Sequence, residues 1–402
     1  MKDEYDLVVV GAGPGGSIAA RTAAEECDVL LIEKRQEIGS PVRCAEGVSN
    51  SQFLEFAHPD KKWISSYIRG WRYFAPDGTM LELSAEEGEL AYILERKIVD
   101  RELAKEAARA GADVMVRTRA TGLIMEDGFV KGVKINRLGE NLEVRSKVVI
   151  GADGVESQVG RWAGIDTALK LKDVFSCVQY LMAGVDVAED FCEMHVGSRA
   201  RGGYAWVFPK GEKLANVGLG MVAGMLDSRR PIDYLGKFVS HRFSEGQQLG
   251  LMVGSCPSSD ELETIIRNGL MLVGDAAHHC DPLTGGGIIH AMEGGKIAGD
   301  VARTAVLQRD SSVRVLKEYE DRWRGSLFGK LQHRHYRMKE SAVTLSDNEW
   351  NKLIRLLKGI RPQQMRFAVV AMHLLAANPK VLFVVRNLAR LNDRTGVLVQ
   401  KD

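Results

Sequence analysis

The chain has 402 residues, enough for two or three domains of about 150 residues each and for a large buried core. With 45% apolar and 27% charged residues it is composed like a folded globular protein, and a net charge of +1 lacks the basic excess of a nucleic-acid binder. Six scattered cysteines without C-x-x-C spacing argue against a disulfide scaffold or zinc site and fit a reducing cytosol, while 42 glycines ask for tight turns or close backbone approach to a ligand.

The opening MKDEYDLVVVG has no basic stretch followed by an apolar run, so it is read as part of the fold. Asp6–Val10 is a short β-branched run, hence a buried parallel strand. Gly11-Ala-Gly13-Pro-Gly15-Gly16 follows at once, then an Ala-rich helix from about Ser17 to Glu25, a second strand over Asp28–Ile32, and Glu33 at its end. Each part has a mechanical role in binding a dinucleotide. Gly11 makes the turn, Gly13 lets the backbone reach a pyrophosphate, and Gly16 lets helix and strand pack closely. The helix start supplies N–H donors, and Glu33 accepts from a ribose hydroxyl.

Between Arg117 and Val144 the chain alternates, with Asp127-Gly128 as a hairpin turn. Lys147–Ile150 predicts a buried strand ending in Asp153-Gly154, with Ser157 and Arg161 on the helix beyond. Tyr67–Ser84 and about Asp173–Met221 are rich in alternating β-branched and aromatic residues, which predicts one antiparallel sheet. In it Tyr204, Trp206 and Phe208 share a face. Gly269–Val273 is a further apolar strand, ending in Gly274-Asp275, and Gly285-Gly286-Gly287 opens a long helix from about Ile289 to Leu307. Asp275 can accept from a ribityl hydroxyl, and the helix start suits negative charge on a reduced flavin. His278, His279 and Cys280 are adjacent and have no distant partner motif, so no metal site is expected. Only one dinucleotide fingerprint is present, which leaves no resident NAD(P)H domain.

From Ser311 the sequence becomes helical and basic, with a net charge of +10 against −9 for the preceding residues. No acid occurs between Glu349 and Asp393, where Lys352, Arg355, Lys358, Arg361, Arg366, Lys380, Arg386 and Arg390 alternate with apolar runs. That is the composition of a surface resting on anionic lipid, or of a basic cap on an acidic body. The longest apolar run, Phe367–Ala377, falls well short of the about 18 residues of a spanning helix.

GAGPGG with Glu33, the Asp153-Gly154 segment and the Gly274-Asp275 segment together resemble the FAD-dependent p-hydroxybenzoate hydroxylase fold. Within it, Pro41-Val-Arg-Cys44-Ala45-Glu46-Gly47 and Tyr204-Ala-Trp206-Val-Phe208-Pro209 are similar to the geranylgeranyl reductase family, above all its archaeal digeranylgeranylglycerophospholipid reductases. One departure is Arg201-Gly202-Gly203, where family members carry Pro-Gly-Gly.

The resemblance implies an α/β fold: a Rossmann-like FAD-binding domain (1–65, 95–165 and 268–306), an antiparallel-sheet substrate domain (66–94 and 166–267) roofing the isoalloxazine, and a basic, lipid-facing helical region (307–402). It implies FAD contacts at Gly15, Glu33, Cys44, Ala45, Gly47, Arg96, Ala120, Asp275, Gly287 and Ile288. Arg96 follows a short strand, Tyr92–Glu95, and its guanidinium either reaches a phosphate or pairs with Asp100 one turn on. Cys44 is the candidate proton donor, and Tyr204, Trp206 and Phe208 line a pocket for an isoprenoid chain.

The implied activity is reduction of the C=C bonds of a geranylgeranyl glycerophospholipid by hydride from reduced flavin. The flavin is refilled by transient NAD(P)H or a ferredoxin-like carrier, with the protein cytoplasmic and peripheral on the membrane. A flavin monooxygenase or halogenase on the same fold, and a lipid carrier with structural FAD, are the alternatives.

Overall fold

A computed structural model describes residues 2–58, 60–85 and 87–358. The chain opens with strand β1 (Glu4–Val10), helix α1 (Pro14–Ala24), strand β2 (Val29–Ile32), strand β3 (Gly47–Ser49) and the single-turn helix α2 (Asn50–Phe53). Strands β4 (Ile64–Ile68), β5 (Gly70–Phe74), β6 (Met80–Ser84) and β7 (Ala91–Leu94) precede helix α3 (Arg96–Arg109). Next come β8 (Asp113–Met115), β9 (Thr118–Glu126), β10 (Phe129–Arg137), β11 (Glu140–Gly151) and the short α4 (Gln158–Trp162). Strands β12 (Val174–Ala183), β13 (Phe191–His195), β14 (Tyr204–Pro209) and β15 (Leu214–Val222) lead to α5 (Pro231–Arg242) and β16 (Gln247–Pro257). The described chain finishes with β17 (Ile266–Arg267), β18 (Leu270–Leu272), α6 (Ile288–Gln308), α7 (Val313–Gly325), α8 (Leu327–Ala342) and α9 (Asp347–Lys358).

These elements form two compact units. The first comprises residues 1–64, 94–174 and 255–333. Its sheet has the order β17-β18-β11-β1-β2-β8, with the β9–β10 hairpin attached through β10 to β11. β1 pairs in parallel with both β11 and β2, so Val8 stands between Val149 and Leu30, all fully buried. That is why these strands read as unbroken apolar runs. α1 starts at Pro14, three residues earlier than the Ala-rich stretch suggests, because proline at the first helical position has the right φ and no N–H to strand. Asp127 and Gly128 both have positive φ, the turn that a two-residue hairpin needs.

The second unit comprises residues 65–93, 175–254 and, among described residues, 334–358. Its seven-stranded sheet runs β16-β12-β15-β14-β13-β5-β6. The expectation of a purely antiparallel sheet needs correction. β13 lies parallel to β5, with Met194 opposite Tyr73, because the chain returns to this edge after a long excursion instead of a hairpin. α5 covers one face, packing Leu235, Phe238 and Val239 on Val207, Val217 and Leu219. On the other face α9 sets Ile354 against Ala75 and Leu81. The helical stretch expected as one region from residue 307 is therefore divided, with α7 in the first unit and α9 in the second. Residues 359–402, with Arg361, Arg366, Lys380, Arg386, Arg390 and the run Phe367–Ala377, lie outside the described residues.

Candidate active site

The glycine loop after β1 carries three different reasons for having no side chain. Gly11 sits at φ +107°, and a Cβ there would come within 2.3 Å of Ala152 O. At Gly16 it would lie 1.9 Å from Gly11 O, so this residue sets how closely α1 approaches the loop. At Gly13 a Cβ would meet nothing within 4 Å, which leaves open space beside the backbone where a pyrophosphate is expected. Gly15 serves packing as well. Its Cβ would press on Ala291 O and Val273 Cγ1 at 2.8 Å, and Gly295 of α6 answers it, since a Cβ there would come within 2.2 Å of Gly15 O. The first N–H groups of α1 have no carbonyl one turn back, which leaves them for a ligand. Glu33 accepts from Ala12 N at 3.2 Å and Arg35 N at 2.9 Å, so its carboxylate is fixed beside the loop with lone pairs to spare. Thr118 N donates to Glu33 O, and Ala120, half-buried in β9, follows two residues on.

Cys44 lies in the loop before β3. Its sulfur accepts from Glu46 N at 3.2 Å, and Ala45 and Gly47 are half-buried on either side of Glu46. Glu46 is 2% exposed with φ +75°, and its Oε1 accepts Arg96 N at 2.8 Å at the start of α3. An acid at that helix terminus ties the Cys44 loop to α3. Arg96 is not a surface charge: Nε and Nη2 donate to both Asp100 oxygens, at 2.8 and 2.7 Å. The guanidinium also hydrogen-bonds the Cys44 thiol. Of the two readings open for Arg96, the Asp100 pair is therefore the one formed among the described residues.

The electrostatics of this cluster suit a proton reservoir. Burial pushes the Cys44 thiol up, and Arg96 and the Glu46 N–H pull it back without cancelling the rise. Arg96 itself is held above its ordinary value, because Asp100 and then Cys44 outweigh the burial that opposes its charge. Cys44 is thus protonated near neutrality, yet a thiolate formed there would meet a cation and a backbone N–H.

Two half-buried carboxyl groups in the same unit keep acceptor capacity unused. Asp153 accepts Val159 N on Oδ2 at 3.1 Å, while its buried Oδ1 has no partner, and burial holds its carboxyl above the usual range. No hydrogen bond from the described residues reaches the Asp275 side chain, whose pKa is pushed up to about 7 by burial and then by Cys256. A Cβ at Gly287 would stand 3.4 Å from Asp275 Oδ1, and Ile288, 8% exposed, begins α6 directly after it. Asp281, which the sequence reading passed over, shapes the approach: its Oδ1 accepts Leu283 N and Thr284 N at 2.9 and 2.8 Å. Orphan acceptors at Asp153 and Asp275 and open space at Gly13 fit a ligand carrying hydroxyl groups and a pyrophosphate, as FAD does.

His278 and His279 diverge. His278 joins Ser259 Oγ at 2.8 Å and Thr167 O at 3.3 Å, while His279 stacks on Trp323 with ring centroids 3.6 Å apart. Burial lowers both pKa values, so both rings are neutral.

In the second unit Tyr204, Trp206 and Phe208 form the predicted stripe on the face away from α5. Neighbouring ring centroids lie 5.8 and 6.4 Å apart, and Trp71 adds an edge contact to Phe208. Trp206 stands opposite Gly218 in the sheet, where a Cβ would meet Trp206 Cζ2 at 2.6 Å. The indole therefore lies across a position that has room only for glycine. Its Nε1 donates to Gln179 Oε1 at 2.7 Å, a partner on β12 that no local pattern announces.

Comparison with known proteins bears on both units. A family model described as the geranylgeranyl reductase catalytic domain matches residues 173–255, and one described as FAD dependent oxidoreductase matches residues 6–200. A digeranylgeranylglycerophospholipid reductase of Methanocella arvoryzae is 50% identical over 386 residues, covering 95% of this chain and 98% of its own. A geranylgeranyl bacteriochlorophyll reductase-like protein from Thermoplasma acidophilum superposes with a TM-score of 0.91 at 39% identity, over 96% of this chain and 99% of that one. A flavin-dependent brominase reaches a TM-score of 0.70 at 18% identity, over 97% and 100% of the two chains, which shows a shared fold alone. With half its residues matched along nearly its whole length, the chain belongs to the digeranylgeranylglycerophospholipid reductases of the geranylgeranyl reductase family.

Proposed function

We propose that this protein reduces the C=C bonds of the geranylgeranyl chains in a 2,3-di-O-geranylgeranylglycerol phospholipid. The observation that carries the reading is the stripe of Tyr204, Trp206 and Phe208, which falls inside the residues matched as the reductase catalytic domain. An isoprenoid offers no polar atom to hold, and a row of rings suits it. Reduced FAD, when bound, supplies the hydride. The chain's own part is to hold the alkene flat and to deliver a proton to the second carbon. Cys44 suits the proton step, because burial keeps Sγ protonated and Arg96 with the Glu46 N–H stabilises the thiolate left behind. FAD contacts are assigned to Gly11, Gly13, Gly15, Gly16, Glu33, Cys44, Ala45, Gly47, Arg96, Ala120, Asp275, Gly287 and Ile288. Arg96 acts in this set by positioning the Cys44 loop.

Electrons come from NAD(P)H or a ferredoxin-like carrier, and the protein works as a peripheral protein on the cytoplasmic face of the membrane. The charge of +10 from residue 311 onward supports contact with anionic lipid. Among the described residues no helix is long and apolar enough to cross a bilayer. The test is anaerobic incubation of dithionite-reduced holoenzyme with the unsaturated lipid in micelles, read by mass spectrometry. A gain of two hydrogens per double bond is expected in wild type, at a rate greatly lowered in Cys44→Ser. Strict dependence on O₂, or an unchanged lipid mass, overturns the assignment. Equal rates for Cys44→Ser and wild type remove Cys44 as the proton donor.

A further inference from the structure

We propose that β16 is the interface of a homodimer, in which two copies of the chain pair their β16 strands antiparallel and join their seven-stranded sheets. β16 is an outermost strand of its sheet, 11 residues long, and among the described residues its one hydrogen-bonded neighbour is β12. Alternate residues therefore point both N–H and C=O outward with no strand to receive them.

This edge lacks the usual protection. Residues 246–259 contain no charged side chain. Elsewhere in the two larger sheets, β17 and β8 are only two and three residues long, β6 carries Glu82, and β9 carries Arg119 and Glu126. Short or charged edges do not recruit a further strand, and β16 is neither. It exposes Leu249, Leu251 and Val253 instead, by 61%, 58% and 62%, at alternate positions and so on one face. The other face is used within the chain. Gln179 Nε2 donates to Met252 Sδ at 3.5 Å, and the same Gln179 holds the Trp206 indole.

Backbone chemistry and symmetry select the occupant. A bilayer would take up the three apolar side chains, but it has nothing to bond the outward N–H and C=O groups. A second β-strand satisfies both. The three residues are also their own complement. With a two-fold axis at Leu251, that residue faces its copy, and Leu249 faces Val253 of the partner subunit, so apolar meets apolar and no charge is buried. Pairing would also fix the strand that carries Met252 and, through Gln179, the indole of the aromatic stripe.

The test is sedimentation velocity of the full-length holoenzyme from dilute to concentrated protein, with hydrogen exchange of the 247–254 amides followed at both ends of the range. A species of twice 44.3 kDa is expected, and the amides that face away from β12 should slow as it forms. Leu251→Lys sets two like charges opposite each other at the axis and should weaken association roughly tenfold or more. Leu251→Cys should give a disulfide-linked dimer under mild oxidation, because facing Cα atoms in an antiparallel pair lie about 4.5–5.5 Å apart. Gln248→Cys, on the other face and without its own copy opposite, should not. A monomer at every concentration overturns the proposal, as does a dimer that ignores Leu251→Lys and leaves Leu251→Cys unlinked. Slow exchange of the outward amides in a monomer overturns it in favour of cover by residues of the same chain. Slowing only on added vesicles of anionic phospholipid overturns it in favour of a membrane. If Leu251→Lys fails to fold, the concentration dependence of the wild-type exchange decides.

Discussion

Replacing Asp100 by Asn tests the cluster around Cys44 through a residue that does not touch the thiol. The Asp100 carboxylate receives two guanidinium hydrogen bonds, and the paired side chains are 15% exposed for Arg96 and 8% for Asp100. Asn keeps an acceptor but loses the charge, so a buried cation is left without its counter-ion. Breaking a buried pair from one side costs about 3–5 kcal/mol, and the lower end applies here because Arg96 retains Cys44. At about 2–4 °C per kcal/mol for a unit of this size, a loss of about 3 kcal/mol lowers the Tm by roughly 6–12 °C. The thiol supplies a second, signed readout. With Asp100 neutral, the pull of Arg96 on Cys44 is unopposed and the thiol pKa falls. In Arg96→Gln that pull disappears and the pKa rises. Both variants lose stability, but only the electrostatic account moves the thiol in opposite directions. Alkylation of Cys44 by iodoacetamide, followed by peptide mass spectrometry across pH, reads it. The midpoint should lie below wild type in Asp100→Asn and above it in Arg96→Gln. Equal shifts in one direction, or an unchanged Tm in Asp100→Asn, refute the reasoning.

Gly218→Ala places a methyl group 2.6 Å from Trp206 Cζ2, so the indole must lift away from its bond to Gln179. About 1–3 kcal/mol of overpacking, a shifted tryptophan emission and a raised KM for lipid are expected; an unaltered emission spectrum argues against the seated indole. Gly16→Ala drives a Cβ to 1.9 Å from Gly11 O, and the variant should purify without FAD or fail to fold, so a fully flavinated Gly16→Ala protein contradicts the packing. For Asp275 the folded pKa of about 7 lies above the unfolded value of about 4. The stability it contributes is therefore full below about pH 4 and is lost as pH rises through about 7. Thermal unfolding of flavin-free protein should show that loss in wild type and a flatter profile in Asp275→Asn; coincident profiles would sink the assignment.

Much of the first unit was legible because its signals are local. A β-branched run, a glycine turn, a small-residue helix and an acid at the next strand end are contiguous, and the structure returns them as β1, α1 and β2 with Glu33 beside the loop. The Arg96–Asp100 pair was legible at one helical turn, and the shared face of Tyr204, Trp206 and Phe208 at period two. What escaped depends on residues distant in sequence. Glu46 turns inward only because the N–H of Arg96, 50 residues on, waits for its carboxylate. Gly15 reads as part of a phosphate loop, and its second reason appears only when α6 brings Gly295 against it. Gln179, Gly218 and the parallel pairing of β13 with β5 follow from register between strands, which no single segment encodes.

An isolated alkene can neither accept nor donate a strong hydrogen bond, so a site for it gains nothing from free polar groups and loses by burying them unpaired. The second unit meets this condition at Trp206, which is buried in the stripe. Trp206 is the one member of the stripe whose ring carries an N–H, and that N–H is committed to Gln179 at 2.7 Å in a buried bond. The indole is thereby turned into a flat apolar surface seated over Gly218, with its donor directed along the sheet to β12. In the first unit the proposed proton step reverses the requirement, because it needs a group that can give up a proton where little water can help. There the sulfur of Cys44 is kept neutral by burial, while Arg96 and the Glu46 N–H wait to stabilise its charged form. On the proposed function, the self-satisfied Trp206–Gln179 pair and the Cys44 cluster poised to change charge are opposite answers to one chemical fact. Replacing Gln179 by Leu would strand the indole N–H and restore to that face the polar atom it is built to hide.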